Sequence, residues 1–168
     1  MKLRWDRFQI LALASALGAF VLVVAGGLVT QTPGAGVGCP DWPLCGGSLL
    51  PNWDNRLMVI EWIHRTVAAI VGVLVLLTTF FAWRDRRGEM RILWTATMSL
   101  VLVIVQAGLG GATVLSELNP IVVVIHLSMA SAFFAVAVAT ALLAFILPKP
   151  APARDTSPAP ETASEGRP

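Results

Sequence analysis

The 168 residues include two histidines, each about two turns inside the start of a separate apolar stretch. His64 lies in Glu61-Trp62-Ile63-His64-Arg65, and His126 closes Val122-Val123-Val124-Ile125-His126. An ionisable side chain inside an apolar span is costly, so its presence there reads as functional. Two matched imidazoles without a third suit the two axial positions of one flat cofactor, above all a haem iron. For a single histidine the bland alternative is a buried ring bonded to a neighbour; the matched pair favours ligation. Zinc fits less well, because Glu61 is the one nearby third ligand and structural zinc takes four.

Other polar groups cluster near these rings. Glu61 and His64 are spaced i, i+3 and share a helix face. The carboxylate could orient the imidazole, shuttle protons if protonated in apolar surroundings, or stabilise positive charge developing on a substrate. It could equally be an interfacial carboxylate paired with Arg65 or Arg56. Those two arginines are also candidates for the propionates of a haem, since guanidinium binds carboxylates in a bidentate fork. Gln106, deep in the third apolar stretch, either donates to a ligand or bridges helices. Gly26, Gly27, Gly108, Gly110 and Gly111, with Ser128, Ala132 and Ala135, would let a flat ring approach, although small residues also serve ordinary helix packing in membranes.

These residues need elements to hold them, and the composition says which. Hydrophobic residues are 56% and charged residues 13% of the chain, far from the balance of a soluble domain. A membrane-spanning helix takes about 20 apolar residues. Four segments qualify, roughly 8–30, 57–83, 92–115 and 121–147. The expected fold is all-α and integral to the membrane: one antiparallel four-helix bundle over residues 1–147, made of two similar helix hairpins. Lys2, Arg4 and Arg7 precede an apolar run that is too long for a cleaved leader. Lysine and arginine gather before span one, between spans two and three, and after span four, so both termini are expected on the cytoplasmic side of a plasma membrane. Trp5, Trp83 and Trp94 then fall at the inner interface, and Trp42, Trp53 and Trp62 at the outer one. The net charge of +2 is accounted for by this bias and gives no reason to expect nucleic acid as a partner.

The connections differ in kind. Residues 116–120 make a turn short enough to force spans three and four into a hairpin. The segment Gln31–Gly46 is rich in turn formers and holds both cysteines, Cys39 and Cys45, on the expected outer side, where a disulfide is the default. A loop so stapled reads as a lid over the end of the bundle that carries the histidines. The echo between Ala25-Gly26-Gly27-Leu28-Val29-Thr30 and Gly110-Gly111-Ala112-Thr113-Val114 suggests a duplicated hairpin, which puts both histidines at similar depth. Residues 148–168, rich in Pro, Ala, Ser and Glu, are expected to be a disordered cytoplasmic tail.

With these pieces assembled, the chain resembles the heme A synthase family of oxidase-assembly proteins. The resemblance rests on Gly26-Gly27-Leu28-Val29-Thr30, the loop Gly38-Cys39-Pro40-Asp41-Trp42-Pro43-Leu44-Cys45-Gly46, Glu61-Trp62-Ile63-His64-Arg65, Gln106 with Leu109-Gly110-Gly111, and His126. It covers residues ~8–147. It implies oxidation of the C8 methyl of heme O to the formyl of heme A, with His64 and His126 holding the substrate haem, Glu61 as catalytic carboxylate, and Cys39–Cys45 as a redox-sensitive disulfide. Members of the family usually have two four-span halves, the second holding a b-type haem. This chain resembles the amino-terminal half, so a homodimer is expected to restore eight spans. Heme O synthase and a terminal oxidase are the implied partners. The alternatives are a non-catalytic haem carrier and an electron-transfer b-type cytochrome. A disulfide-forming quinone reductase would need a Cys-x-x-Cys pair and a relay pair, which the chain lacks.

Overall fold

The computed structural model describes residues 5–147; the expected tail at 148–168 lies outside the described residues. Four long helices account for most of the described chain: α1 (Arg7–Gln31), α2 (Arg56–Asp85), α3 (Met90–Leu115) and α4 (Pro120–Ile146). All four are long and apolar enough to cross a membrane. Their ends lie within two residues or so of the spans read from the sequence. They pack in a ring in which α1 touches α2, α2 touches α3, α3 touches α4, and α4 closes on α1. Asp6, just before α1, bonds Arg86, just after α2, and Gln9 in the first turn of α1 donates to Ala144 C=O near the end of α4, so the start of α1 meets the ends of both neighbours.

Local chemistry sets where the helices start. Asp6 and Gln9 form a reciprocal capping box on α1, with Gln9 N–H donating to Asp6 at 2.9 Å and Asp6 N–H to the Gln9 side chain at 3.0 Å. Asn55 caps α2 by accepting from the amides of Leu57 and Met58. Asn119 caps α4, whose first residue is Pro120, a ring whose missing N–H costs nothing there. The turn from α3 to α4 is tight because Leu118 N–H returns to Thr113 C=O at 2.8 Å. Glu117 and Leu118 take φ of 53° and 64°, left-handed values that cost non-glycine residues on the order of 1–3 kcal/mol. That strain places the Leu118 side chain against Gly36 of the first loop, where a Cβ would lie 2.9 Å away.

The interior is built from small residues. Ala12, Ala16, Ala82, Ala96, Ala141 and Ala144 form a buried cluster with Phe8, Ile92 and Leu93. A second cluster joins Ala19, Val71, Val75, Phe133 and Ala137. Alanines let helix backbones approach closely, which is what drives packing where lipid is as apolar as the core. Large side chains such as Leu17, Ile70, Ile104 and Ile121 face outward instead.

The two hairpins repeat. Moving α1 by 84 positions onto α3 pairs Phe8 with Ile92 and Ala12 with Ala96, all buried. Moving α2 by 62 positions onto α4 pairs Val71 with Phe133, Val75 with Ala137 and Ala82 with Ala144, again all buried. The same shifts pair Gly26 with Gly110 and His64 with His126.

At the opposite end Arg86, one of the arginines between spans two and three, is 1% exposed. Its guanidinium reaches Asp6 at 2.6 Å and lies 5.3 Å from the Phe8 ring centroid. The acid that caps α1 is thus also the counter-charge that lets an arginine enter the bundle end.

Candidate functional site

Asn55 and Pro120 start α2 and α4 so that His64 and His126 each sit roughly two turns in, near the same end of the bundle. The two helices are opposite each other in the ring, and the imidazoles lie within electrostatic reach of one another. Each ring rests on a glycine of the preceding helix. A Cβ on Gly26 would come within 3.2 Å of the Cε1 atom of His64, and one on Gly110 within 3.7 Å of that of His126. Each Nδ1 is buried and has no hydrogen-bond partner among the described residues. Buried polar atoms are ordinarily paired, so two repeat-related orphans need a reason.

The glycines named in the sequence divide by this geometry. Gly26, Gly110 and Gly111 make close approaches; Gly27 and Gly108 face open space. Gly111 receives the Trp42 ring, which a Cβ would meet at 2.9 Å. Ser128, Ala132 and Ala135 do not line the histidine region, being exposed on α4, where Ser128 bonds back to Val124 C=O. Gln106 is 9% exposed, and its amide donates to the His126 carbonyl at 3.0 Å while its own oxygen has no partner. It therefore ties α3 to the backbone of the histidine on α4.

Glu61 and Arg65 form a clamp on the loop. Glu61 is 4% exposed. One carboxylate oxygen accepts the Cys39 amide at 2.9 Å and the other accepts from Arg65 at 2.5 Å. The remaining Arg65 Nη hydrogens go to the carbonyls of Asp41 at 2.8 Å, Leu44 at 2.7 Å and Cys39 at 3.2 Å. With those four bonds both Nη atoms are fully used, so in this conformation Arg65 keeps no fork for a propionate. Arg56 is exposed. Cys39 and Cys45 are joined in a disulfide and are both buried.

Asp41 was not singled out in the sequence, yet it closes the loop. Its carboxylate accepts the amides of Gly46 at 2.6 Å and Gly47 at 2.7 Å. Both glycines have positive φ, 67° and 76°, the conformation that turns their N–H groups toward it. The Gly47 amide, with Gly46 and the Arg65 charge behind it, holds the Asp41 carboxyl below its ordinary value of 3.8. The legible signal was an aspartate followed by two adjacent glycines. Gly38 brings the loop against the first turn of α2, where a Cβ would meet the Leu57 carbonyl at 2.5 Å. Trp62 adds a bond from its indole N–H to Leu49 C=O at 2.8 Å.

Comparison with known proteins adds a name to this arrangement. The family model described as cytochrome oxidase assembly protein, COX15-CtaA, matches residues 9–164. The heme A synthase of Shouchella clausii is 35% identical over 136 residues, covering 80% of this chain and 45% of the relative. That of Geobacillus kaustophilus is 32% identical over 139 residues, with 82% and 44% covered. That of Bacillus licheniformis is 34% identical over 136 residues, with 80% and 44% covered. The chain thus spans a little under half the length of these relatives. No solved structure matches it. A multi-pass helical membrane protein with a disulfide-stapled loop over a pair of histidines, the chain belongs to the COX15-CtaA family of cytochrome oxidase assembly proteins.

Proposed function

We propose that the chain binds haem between His64 and His126 and takes part in converting heme O to heme A, the C8 methyl being oxidised to a formyl group. One observation carries the haem reading. Two imidazoles related by the internal repeat each rest on a glycine, and neither Nδ1 has a hydrogen-bond partner among the described residues. Such a donor set suits the axial positions of a haem iron. A haem held there would supply the redox-active iron or, as substrate, the methyl group.

The chain's own residues supply position and cover. Gln106 holds the His126 backbone, and the loop closes the outer end through Trp42 on Gly111. Glu61 is the proposed catalytic carboxylate, a fixed negative charge one helical turn from His64 that would favour positive charge developing on the substrate. The residues 1–147 act in this reading as one domain, with the disulfide loop outside the cytoplasmic membrane and both termini inside, as the lysine and arginine bias favours. A second four-span unit, supplied by another copy of the chain, would bring a further histidine pair and the site for a b-type cofactor. Heme O synthase and the terminal oxidase would be its neighbours in assembly.

A second reading has an observation of its own. Both Glu61 oxygens are taken up by the loop clamp, which suits a protein that holds and delivers haem without altering it. Expression in a host that makes heme O but no heme A separates the two: extracted heme A supports the synthase, and bound heme O alone supports the carrier. Glu61→Gln sharpens the test. The synthase reading expects haem retained and heme A formation down about a hundredfold, on the order of 3 kcal/mol. Unchanged turnover per haem would remove Glu61 from the chemistry.

A further inference from the structure

Below the histidine level, toward the other end of the bundle, lies an internal cavity of about 10 Å³, where each helix contributes one hydroxyl. Ser15 comes from α1, Thr78 from α2, Ser99 from α3 and Thr140 from α4, and all four are at most 4% exposed. The repeat relates them in pairs, Ser15 to Ser99 by 84 positions and Thr78 to Thr140 by 62. The rest of the lining obeys the same shifts, Ala12 with Ala96 and Val75 with Ala137. The cavity therefore sits on the approximate two-fold axis that relates the hairpins.

Three of the hydroxyls have backbone acceptors in reach. Thr78 donates to Leu74 C=O at 2.8 Å, Ser99 to Thr95 C=O at 3.0 Å, and Thr140 to Val136 C=O at 2.9 Å. Ser15 and Thr78 share a bond of 2.9 Å in which either hydroxyl can donate. Four hydroxyl oxygens thus remain as acceptors in one buried space, and a hydroxyl oxygen carries two lone pairs. No charged side chain lines the cavity, so an ion there would stand uncompensated in an apolar interior. What the cavity can hold is a neutral hydrogen-bond donor no larger than one water, which needs at least roughly 10–15 Å³ of this kind of volume, and this cavity lies at the lower end of that range.

We infer that a single water is bound at the centre of the bundle, donating to hydroxyl oxygens of both hairpins and joining them across the two-fold axis. It is a site separate from the histidine pair and independent of the haem reading. Helices meet through alanines there, and a water's two hydrogens suffice to tie one hydroxyl oxygen of each hairpin to the other.

An experimental structure of the full chain in lipid, detailed enough to show ordered waters, tests this directly. A density peak within hydrogen-bonding distance of at least one oxygen from each hairpin, Ser15 or Thr78 on one side and Ser99 or Thr140 on the other, is expected. An empty cavity overturns the inference. In Ser99→Ala/Thr140→Val, which removes two of the acceptors while keeping most of the volume, the peak should disappear. Its persistence there would show that these oxygens do not hold it and would overturn the assignment. Should that variant not fold, the wild-type density still decides.

Discussion

The two hairpins share a buried plan and part company at the end that carries the histidines. In both, an alanine-rich interior meets a hydroxyl layer, then a histidine resting on a glycine. In the first hairpin the connection is a disulfide-stapled loop clamped by Glu61 and Arg65; in the second it is a short turn closed by Leu118 in a left-handed conformation. The 62-position shift takes Glu61 to Val123 and Arg65 to Leu127. Core positions are held in common because both copies must fill one interior. The ends differ because only one has a long loop whose backbone groups need partners. A duplicated scaffold therefore holds a symmetric pair of rings beneath an asymmetric cover.

Removing either ring tests the symmetric part and should have the largest effect. His64→Ala and His126→Ala are each expected to abolish a low-spin two-imidazole haem spectrum, read by absorption of the purified protein. Full haem content with unchanged spectrum in either variant would break the equivalence of the two hairpins at the site.

The asymmetric cover comes next. Arg65→Leu would leave Glu61 buried without its counter-charge and three loop carbonyls without their donor. Breaking such a pair costs about 3 kcal/mol or somewhat more. Thermal unfolding should shift down, and proteolysis between residues 39 and 50 should speed up. Leu127→Ala, at the matching position of the second hairpin, is exposed and should change both far less. Equal effects would mean that the clamp is not what distinguishes the two ends.

Glycine contacts give a smaller and graded test. Gly26→Ala meets the His64 ring at 3.2 Å, whereas Gly110→Ala meets His126 at 3.7 Å, ordinary contact. The first should weaken haem binding by about 1 kcal/mol through overpacking, and the second by less. A titration that reverses this order would show that the rings are not seated alike.

The smallest effect is expected at Asp41. Its carboxyl lies below its ordinary value in the folded protein, so the loop gains stability from it above that ordinary value of 3.8 and loses it as pH falls through the lower folded value. Amide exchange at Gly46 and Gly47, corrected for intrinsic pH dependence, should stay protected at neutral pH and open only in strong acid. Asp41→Asn should remove that acid transition. Opening near neutral pH would point to another group as the closure.

The amino-acid sequence by itself determined the four spans and the candidacy of His64 and His126. These follow from local facts: runs of apolar residues of membrane-crossing length, and ionisable residues where lipid penalises them. The cysteine pair was legible because the chain has two cysteines, and both fall in one loop. Only the tertiary structure decided what Glu61 and Arg65 touch. Their helical spacing allowed a contact with haem, with each other or with the loop, and the fold chose the pair and the loop together, because unpaired carbonyls and the Cys39 amide lay within reach. Arg86 reads in sequence as one of several arginines between spans two and three, and it entered the bundle because Asp6, 80 positions away, was there to meet it. The hydroxyl layer was hidden as well. A serine or threonine in a helix looks like any other until four helices bring one each to the same point, and that convergence belongs to the packing, not to any one segment of the chain.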